Sequence, residues 1–342
     1  MVDLSFGFRP TLTSIVAVSS LLLTATFAEG EALQPKENLT VNPKLSADDK
    51  EATNVSGAAC FIVAGERKSC LLIGDEVRYA RFFSIDGKTL VPGQKIFLLP
   101  ERDSNGHKFK ETDAEGIAFA KNFYYAVGSH GLNKDGDKQP SRYFVYRMRI
   151  DPLTDRPSDP GSDEAASTSV ERSNTLDALI AADPVLKGHI GKVPGEQGVN
   201  IEGLAVSGDD MFFGFRGPVV NDAALVRQVP IEAIFEGKVA PLRPHSLRLG
   251  KGMGIRDLAA VKDGFLVLSG PEERKPGKAE VFFWKPDSDP IALADLGGPR
   301  SDEGQPEVLM VLDETDSLYS VLVMSDGPDG GDPMRLEIAK KK

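Results

Sequence analysis

Short runs of apolar and β-branched residues, separated by turn residues, recur along most of the chain. Runs such as "FLVLSG" and "SRYFVYRMRI" are typical of strands and exclude helical repeats. Five segments share one order: a polar pair, an apolar strand, a turn, a second apolar strand that ends in Gly, Ser or Asp, and then a third strand. The segments begin at Ser56, Ala114, Ile201, Ile255 and Pro306.

The spacing of these segments predicts the architecture. Aligned on their second polar position, at Ser56, Glu115, Glu202, Arg256 and Glu307, they are separated by intervals of 59, 87, 54 and 51 residues. Units of roughly 40 to 50 residues built from short strands are typical of propeller blades, each a four-stranded antiparallel sheet beside a central channel. We therefore predict an all-β fold, a β-propeller of five blades, with six blades as the alternative.

The longest interval predicts one insertion after the second blade. Residues 151–172 are rich in Pro, Ser and Asp and indicate a flexible loop. The following "SNTLDALIAAD" has a helical period, with Ser173 as the expected N-cap. A loop plus a helix is thus expected within 151–199 of a propeller domain that spans 55–342.

The last repeat ends at the C-terminus without a clear fourth strand. An open ring would leave strand edges unpaired, so a strand from elsewhere is expected to close it. The N-terminal segment 29–54 contains "NLTVN" at residues 38–42, which is our candidate for this strand.

The first 28 residues have the pattern of a signal peptide. Arg9 precedes the apolar run "SIVAVSSLLL", and Thr26 and Ala28 provide the small residues of a cleavage site. A membrane anchor is the weaker alternative, since the run is short and is interrupted by Ser19 and Ser20. We expect an exported protein, secreted or periplasmic, with no membrane span after cleavage.

Charge narrows the set of partners. Asp and Glu number 51 against 40 Lys and Arg, a net charge of −11. Such a balance disfavours nucleic acids and anionic membranes. The expected partner is a small anionic molecule or a protein, and we expect a monomer.

Only two cysteines occur, Cys60 and Cys70, in "CFIVAGERKSC". Two apolar runs flank the turn between them, so paired strands would bring the thiols close enough to bridge in an oxidising compartment. A catalytic or metal-binding pair is the alternative, but no third soft ligand lies nearby. We predict a disulfide.

Polar residues at the strand edges predict a site. In an antiparallel hairpin the start of the first strand and the end of the second lie at one edge, which places Glu202 beside Arg216. The same geometry brings other ionisable residues to one mouth of the channel. The candidates are His130, Glu202 and Arg256 for catalysis, with His130 as the general acid or base, and Arg216, Asp257 and Glu272 for ligand binding.

A structural role is the competing hypothesis for these residues. Buried charges must be paired, so the acids and arginines could instead join neighbouring blades. Gly116 and Gly203, which follow two of the glutamates, fit either close blade packing or room for a ligand.

A family resemblance rests on three motifs in series: "DAEGIAFAKNFYYAVGSHGLNKDG", "VNIEGLAVSGDDMFFGFRGPV" and "GMGIRDLAAVKDGFLVLSGPEE". Together they resemble the exported bacterial proteins catalogued as domain of unknown function 3616. The "EG" strand openings are also similar, more distantly, to propellers described as phytase-like or esterase-like.

The distant resemblance implies a metal-assisted hydrolase of phosphate or carboxylic esters. Carboxylates at the mouth would hold Ca²⁺ or another divalent cation, which would polarise an ester and activate water, while Arg216 and Arg256 grip an anionic group. The expected metal ligands are Glu115, Glu202, Glu307 and Asp326. A non-catalytic propeller that binds a ligand or a protein remains the alternative.

Overall fold

Five sheets, each with four antiparallel strands and one with an additional short parallel strand, form blades in the computed structural model of the chain. The model describes residues 1–2, 32–47, 50–52, 54–63, 66–275, 277–298 and 304–341. The predicted signal peptide lies outside the described residues, except for its first two. The innermost strand of each sheet contacts the innermost strand of the next, and the fifth contacts the first. The predicted all-β, five-bladed propeller is confirmed, and the six-bladed alternative is set aside.

The strands and helices have the following bounds. Four short strands come first: β1 Glu37–Asn38, β2 Thr40–Val41, β3 Ser46–Ala47 and β4 Lys50–Glu51. Blade 1 contains β5 Gly57–Val63, β6 Glu66–Ile73, β7 Tyr79–Asp86 and β8 Thr89–Phe97. Blade 2 contains β9 Ala114–Ala120, β10 Phe123–Gly128, β11 Val145–Arg149 and β12 Val170–Ser173. Blade 3 contains β13 Asn200–Ser207, β14 Asp210–Val220, β15 Ala223–Pro230 and β16 Arg243–Leu247.

The remaining blades follow the same order. Blade 4 contains β17 Met253–Val261, β18 Gly264–Pro271, β19 Ala279–Trp284 and β20 Ile291–Gly297. Blade 5 contains β21 Gln305–Glu314, β22 Leu318–Asp326, β23 Met334–Ala339 and, as its outer strand, β1. The α-helices are α1 Thr175–Ala182 and α2 Ile231–Phe235, and 3₁₀ turns occur at Pro140–Arg142, Leu186–Gly188 and Asp329–Gly331. No helix among the described residues is long and apolar enough to cross a membrane.

The N-terminal segment lies across the junction between the last and the first blade. Glu37 pairs with Arg335 and Asn38 with Met334, which makes β1 the fourth strand of blade 5. Our candidate began one residue later and ran to residue 42. Thr40–Val41 instead pairs in parallel with β8, so this short stretch adds backbone hydrogen bonds to both blades at the closure.

The insertion after blade 2 departs from the prediction in two details. The strand Val170–Ser173, whose first three residues we assigned to a flexible loop, is the fourth strand of that blade and pairs with β11. They carry one apolar residue, too few to give a strand pattern. The helix begins one residue later than expected, with Asn174 rather than Ser173 at its N-cap position. The Ser173 hydroxyl instead donates to the carbonyl of Ile234 at 2.6 Å.

A buried ion pair fixes the helix to blade 3. Arg227 on β15 donates from Nε to Asp183 Oδ2 at 2.7 Å, and both side chains are almost fully buried. Asp183 also ends the helix, where its Oδ1 accepts from the backbone N–H groups of Val185 and Leu186. The insertion is therefore fixed to the propeller at the end of its helix.

The predicted disulfide is confirmed within blade 1. Cys60 on β5 and Cys70 on β6 are directly paired residues of neighbouring antiparallel strands, and their sulfurs are bonded. Both side chains are buried in the core between blades 5 and 1, where Met310 of blade 5 contacts Cys60. The bond links the innermost strand to its neighbour beside the ring closure.

The glycines that follow the strand-opening glutamates serve close blade packing. A Cβ on Gly116 would lie 2.7 Å from the backbone nitrogen of Leu204 in the next blade, and one on Gly203 would lie 3.0 Å from Cβ of Leu258. Inner strands that approach so closely leave no space for a side chain at these positions. These contacts support the packing interpretation of both glycines.

Gly116→Ala should destabilise the protein by about 1–3 kcal/mol, because the new methyl group meets backbone atoms that cannot rotate away. Urea unfolding at constant pH would measure the change. Gly188→Ala is the matched control, since a Cβ there meets nothing within 4 Å. Equal midpoints for the two variants would contradict this account of the inner ring.

Candidate functional site

One mouth of the channel opens into a cavity of about 440 Å³, which we call the mouth cavity. Its floor is formed where inner strands begin and second strands end, as the hairpin geometry predicts. Among its described lining residues, nine acidic side chains face five basic ones. The acidic residues are Asp75, Glu76, Glu111, Asp113, Glu115, Asp135, Glu202, Glu307 and Asp326, and the basic ones are Lys110, Lys134, Arg142, Arg216 and Arg274.

Glu202 and Arg216 are in contact across the blade 3 hairpin. Arg216 Nη1 donates to Glu202 Oε1 at 2.9 Å, and the amide of Asn200 donates to the same oxygen. The rest of the Arg216 guanidinium donates to carbonyl groups of Pro271, Glu272 and Glu273 in blade 4. Arg216 therefore joins two blades.

Arg256 links three blades from beneath the cavity. Its side chain is 4 % exposed and starts in blade 4. Its Nη1 lies 3.4 Å from Glu202 Oε2 in blade 3 and also donates to Glu307 Oε1 in blade 5, while Nη2 donates to the carbonyl of Pro271. We expected Arg216 and Arg256 to bind an anionic ligand. In the structure both guanidinium groups instead donate to acceptors of the protein itself.

Five acids of the cavity have no ion pair within the described ranges. Glu76 and Asp135 are exposed, whereas three are partly buried and are called the unpaired acids below: Asp75 of blade 1, Glu115 of blade 2 and Asp326 of blade 5. Burial raises the pKa of Glu115 well above its usual range, and the neighbouring charges of Asp113 and Glu202 raise it further. Burial, with repulsion from Asp113 and Asp326, raises the pKa of Asp75 to about 7. Burial raises the pKa of Asp326, an effect that the Arg256 guanidinium opposes and the charge of Glu202 reinforces. These carboxyl groups exchange protons closer to neutral pH than ordinary acids do.

Two paired acids of the cavity are also shifted. Burial raises the pKa of Glu307 to about 8, although Arg256 opposes the effect. Burial raises the pKa of Asp113 to about 6, opposed by Arg142, whose Nη1 lies 3.0 Å from Asp113 Oδ2. The cavity as a whole therefore favours bound protons or bound cations.

Several residues that line the mouth cavity were not predicted from the sequence. Asp113 and Arg142 form an ion pair that also includes Glu111. Asp113 lies two residues before Glu115, and this alternation could have indicated that both face the mouth. Lys134, Arg274 and Asn200 lie on loops and strand edges whose positions depend on the insertion, and no periodic pattern marks them.

His130 is not brought to the mouth cavity. Its ring is 3 % exposed, packs edge-on against Tyr143, and places Nδ1 3.0 Å from the carbonyl oxygen of Gly128. Burial lowers the pKa of His130 to about 4, so the ring is neutral near pH 7. The backbone turns through a left-handed conformation at this residue, with φ of 53°, and carries the ring away from the site. The proposed general acid–base role loses its geometric basis.

Asp257 and Glu272 hold backbone and loops rather than line the cavity. The two carboxylate oxygens of Asp257 accept from the N–H groups of Leu258 and Leu309, both at 2.7 Å, which joins blades 4 and 5. Glu272 accepts from the backbone nitrogen of Gln197 at 2.9 Å and from its side-chain amide at 3.1 Å. This contact, the Glu272–Gln197 latch, fixes the end of the insertion to blade 4.

The arrangement does not fit a preformed metal site. No three carboxylate, imidazole or thiol groups of the described residues converge closely enough to hold an ion. Of the four expected ligands, Glu202 and Glu307 are engaged by arginines. A divalent cation would have to displace a guanidinium group from each of them, so we derive no step through a metal.

Arg256→Met should reduce the free energy of unfolding by about 3–5 kcal/mol near neutral pH, because it leaves Glu202 and Glu307 buried beside one another with less compensation. Chemical denaturation measures the loss. Arg243→Met is the control, since its pair with Asp287 is exposed and should contribute less than about 1 kcal/mol. Similar effects for both variants would show that Arg256 does not link the blades energetically.

The raised acid pKa values predict a stability that falls as pH rises. A carboxyl whose folded pKa is raised contributes stability that is complete below its unfolded pKa and is lost as pH climbs through the folded pKa. Between about pH 5.5 and about pH 8.5, Asp75 should lower the free energy of unfolding of the wild type by about 2 kcal/mol, since each pH unit in which Asp75 ionises only in the unfolded state costs about 1.4 kcal/mol. Asp75→Asn should remove this part of the decline.

Unfolding free energies of both proteins at the two pH values provide the test. Asp263→Asn, at an exposed turn of blade 4, is the control and should leave the decline as it is in the wild type. A decline in Asp75→Asn as steep as that of the wild type would show that Asp75 is ordinarily ionised in the folded protein.

Comparison with solved structures returns other propellers at low similarity. The soluble aldose sugar dehydrogenase of Escherichia coli is 10 % identical with a TM-score of 0.38, and the match covers 91 % of this chain and 99 % of that one. A glucose dehydrogenase is 12 % identical with a TM-score of 0.37, covering 86 % and 98 %. The WD40 propeller domain of Doa1 is 11 % identical with a TM-score of 0.31, covering 85 % and 68 %. Similarity this low says nothing about the site.

Comparison with curated proteins finds no match to this sequence. The family described as "Protein of unknown function (DUF3616)" matches residues 137–335, which include most of blades 2 to 5 and the insertion. This span is more than half of the chain and contains two of the three motifs on which the resemblance was based. The chain belongs to the DUF3616 family.

Proposed function

We propose that this propeller binds a small ligand through a positively charged group, which the mouth cavity receives between its unpaired carboxylates. The observation that carries the proposal is the set of three partly buried acids without an ion pair among the described residues, Asp75, Glu115 and Asp326, contributed by three neighbouring blades. Their charges repel one another at close range in a partly buried site. A bound cation would relieve that repulsion.

A second observation also favours a cationic ligand. Glu202 lines the cavity with its side chain 4 % exposed, and its Oε2 atom receives no hydrogen bond from the described residues. A buried carboxylate oxygen without a donor is costly, although Arg256 lies 3.4 Å away. A ligand ammonium group has the N–H donors that this oxygen lacks.

Binding of a cation should be linked to proton release. Asp75 and Glu307, whose pKa values are raised to about 7 and about 8, are partly protonated near neutral pH, and a bound cation favours the ionised form. Affinity should therefore increase with pH as the floor of the cavity ionises. A site that bound an anion would show the opposite dependence.

The hydrolase hypothesis receives less support. It needed a cluster of metal-bridging acids and free arginines, whereas Arg216 and Arg256 are engaged by the glutamates and carbonyl groups. A binding function without catalysis agrees better with the side chains present.

Titration calorimetry with 1,5-diaminopentane as the probe tests the proposal. We expect binding at about pH 8.5 that is at least tenfold tighter than at about pH 5.5, together with proton release measured in two buffers of different ionisation enthalpy. Glu115→Gln should weaken the affinity about tenfold or more, because it removes one of the three unpaired charges. The fold should tolerate this change, since it also removes a repulsive buried charge.

Asp263→Asn, on an exposed turn away from the cavity, is the matched control and should bind as the wild type does. Absence of binding at both pH values would overturn the proposal, and so would unchanged affinity in Glu115→Gln. If the same titration with Ca²⁺ shows tight binding that depends on Glu307, the metal-dependent hypothesis regains its basis.

A further inference from the structure

Three basic side chains lie at the exposed edge of the mouth cavity, beside the exposed acids Glu76 and Asp135. Lys110, Lys134 and Arg274 line the cavity and are exposed, and we call them the basic rim. None of the three forms an ion pair or a side-chain hydrogen bond within the part of the chain that the structure describes. They come from three separate loops, which precede β9, follow β10 and follow β18.

Arg274 is held in place although its guanidinium group is free. Gly195 of the insertion lies against its aliphatic stem, so that a Cβ at this glycine would meet Arg274 Cγ at 2.8 Å. The Glu272–Gln197 latch fixes the same stretch of the insertion two residues further on. The insertion therefore packs against the stem of one rim cation and keeps it at the edge of the cavity.

The two zones of charge differ in depth. The unpaired acids are at the floor, where burial strengthens their interactions, and the free cations lie at the exposed edge. A molecule that carries only positive charge gains from the floor but is repelled by the rim. A molecule with both signs of charge can be attracted by both zones.

We propose that the mouth cavity selects a zwitterion of the amino-acid class, with its ammonium group against Glu115 and its carboxylate held by Arg274 and Lys134. The proposal rests on the proposed function, since it assumes that the floor takes the cationic group. It adds the class of ligand and assigns specificity to the basic rim. Guanidinium and ammonium groups at the edge of a cavity are suitable partners for a carboxylate.

Free L-lysine and 1,5-diaminopentane are a matched pair of probes, because they differ only by the carboxylate. Calorimetry at about pH 8 should show wild-type binding of L-lysine about tenfold tighter than of the diamine, a difference of about 1.4 kcal/mol. The double variant Arg274→Ala, Lys134→Ala should lose this preference. Its affinity for the diamine should stay the same or increase, since the repulsion from the rim is gone.

Lys262→Ala is the control, because this exposed lysine lies at the opposite end of its blade, next to the β17–β18 turn. It should retain the preference for L-lysine. If the diamine binds as tightly as L-lysine, or if the double variant keeps the preference, the zwitterion proposal is wrong while the cation site stands. If neither probe binds, the proposed function itself fails.

Discussion

The guanidinium group of Arg256 is the contact on which the inner ring depends. Each blade begins with a polar residue beside a narrow channel, and in three blades that residue is a glutamate. Carboxylates at such positions would repel one another and oppose closure of the ring. Arg256 stands between two of them and binds both, so blade 4, one of the two blades without a glutamate at this position, supplies the cation that the neighbouring blades need.

The arginines compensate only some of the carboxylates of the inner ring, and this connects the fold to the proposed function. Arg142, Arg216 and Arg256 engage acids on parts of the ring, whereas Asp75, Glu115 and Asp326 have no ion-pair partner among the described residues where blades 5, 1 and 2 meet. A purely structural network would be expected to pair such charges, because each unpaired buried carboxylate opposes folding. The excess is explained if a ligand supplies the missing positive charge.

The insertion forms part of the wall of the mouth cavity above the inner ring of charges. It is fixed at one end by the buried pair of Asp183 with Arg227 and at the other by the Glu272–Gln197 latch. Between these two points it carries Pro194 and Gly195 to the edge of the mouth, where they adjoin Arg274. The structural and the functional hypotheses therefore apply to different residues. Arg256, Asp257 and Glu272 join strands and loops of the site, while we propose a ligand-binding role for the unpaired acids and the basic rim.

Strand periodicity and the spacing of five similar segments were sufficient for the fold, because each blade repeats one local pattern and adjacent strands of a hairpin pair by default. The same rule placed Glu202 beside Arg216 and Cys60 opposite Cys70, since their neighbourhood is a matter of register within one hairpin. It failed for β12, whose few apolar residues give no pattern, and for His130, where one left-handed residue redirects the chain. The hairpin rule could not predict contacts between blades. Packing of distant segments around a closed ring decides that Arg256 binds Glu307, that Glu115 has no ion pair and that Arg274 contacts Gly195. A single sequence carries no local signal for contacts between segments so far apart in the chain.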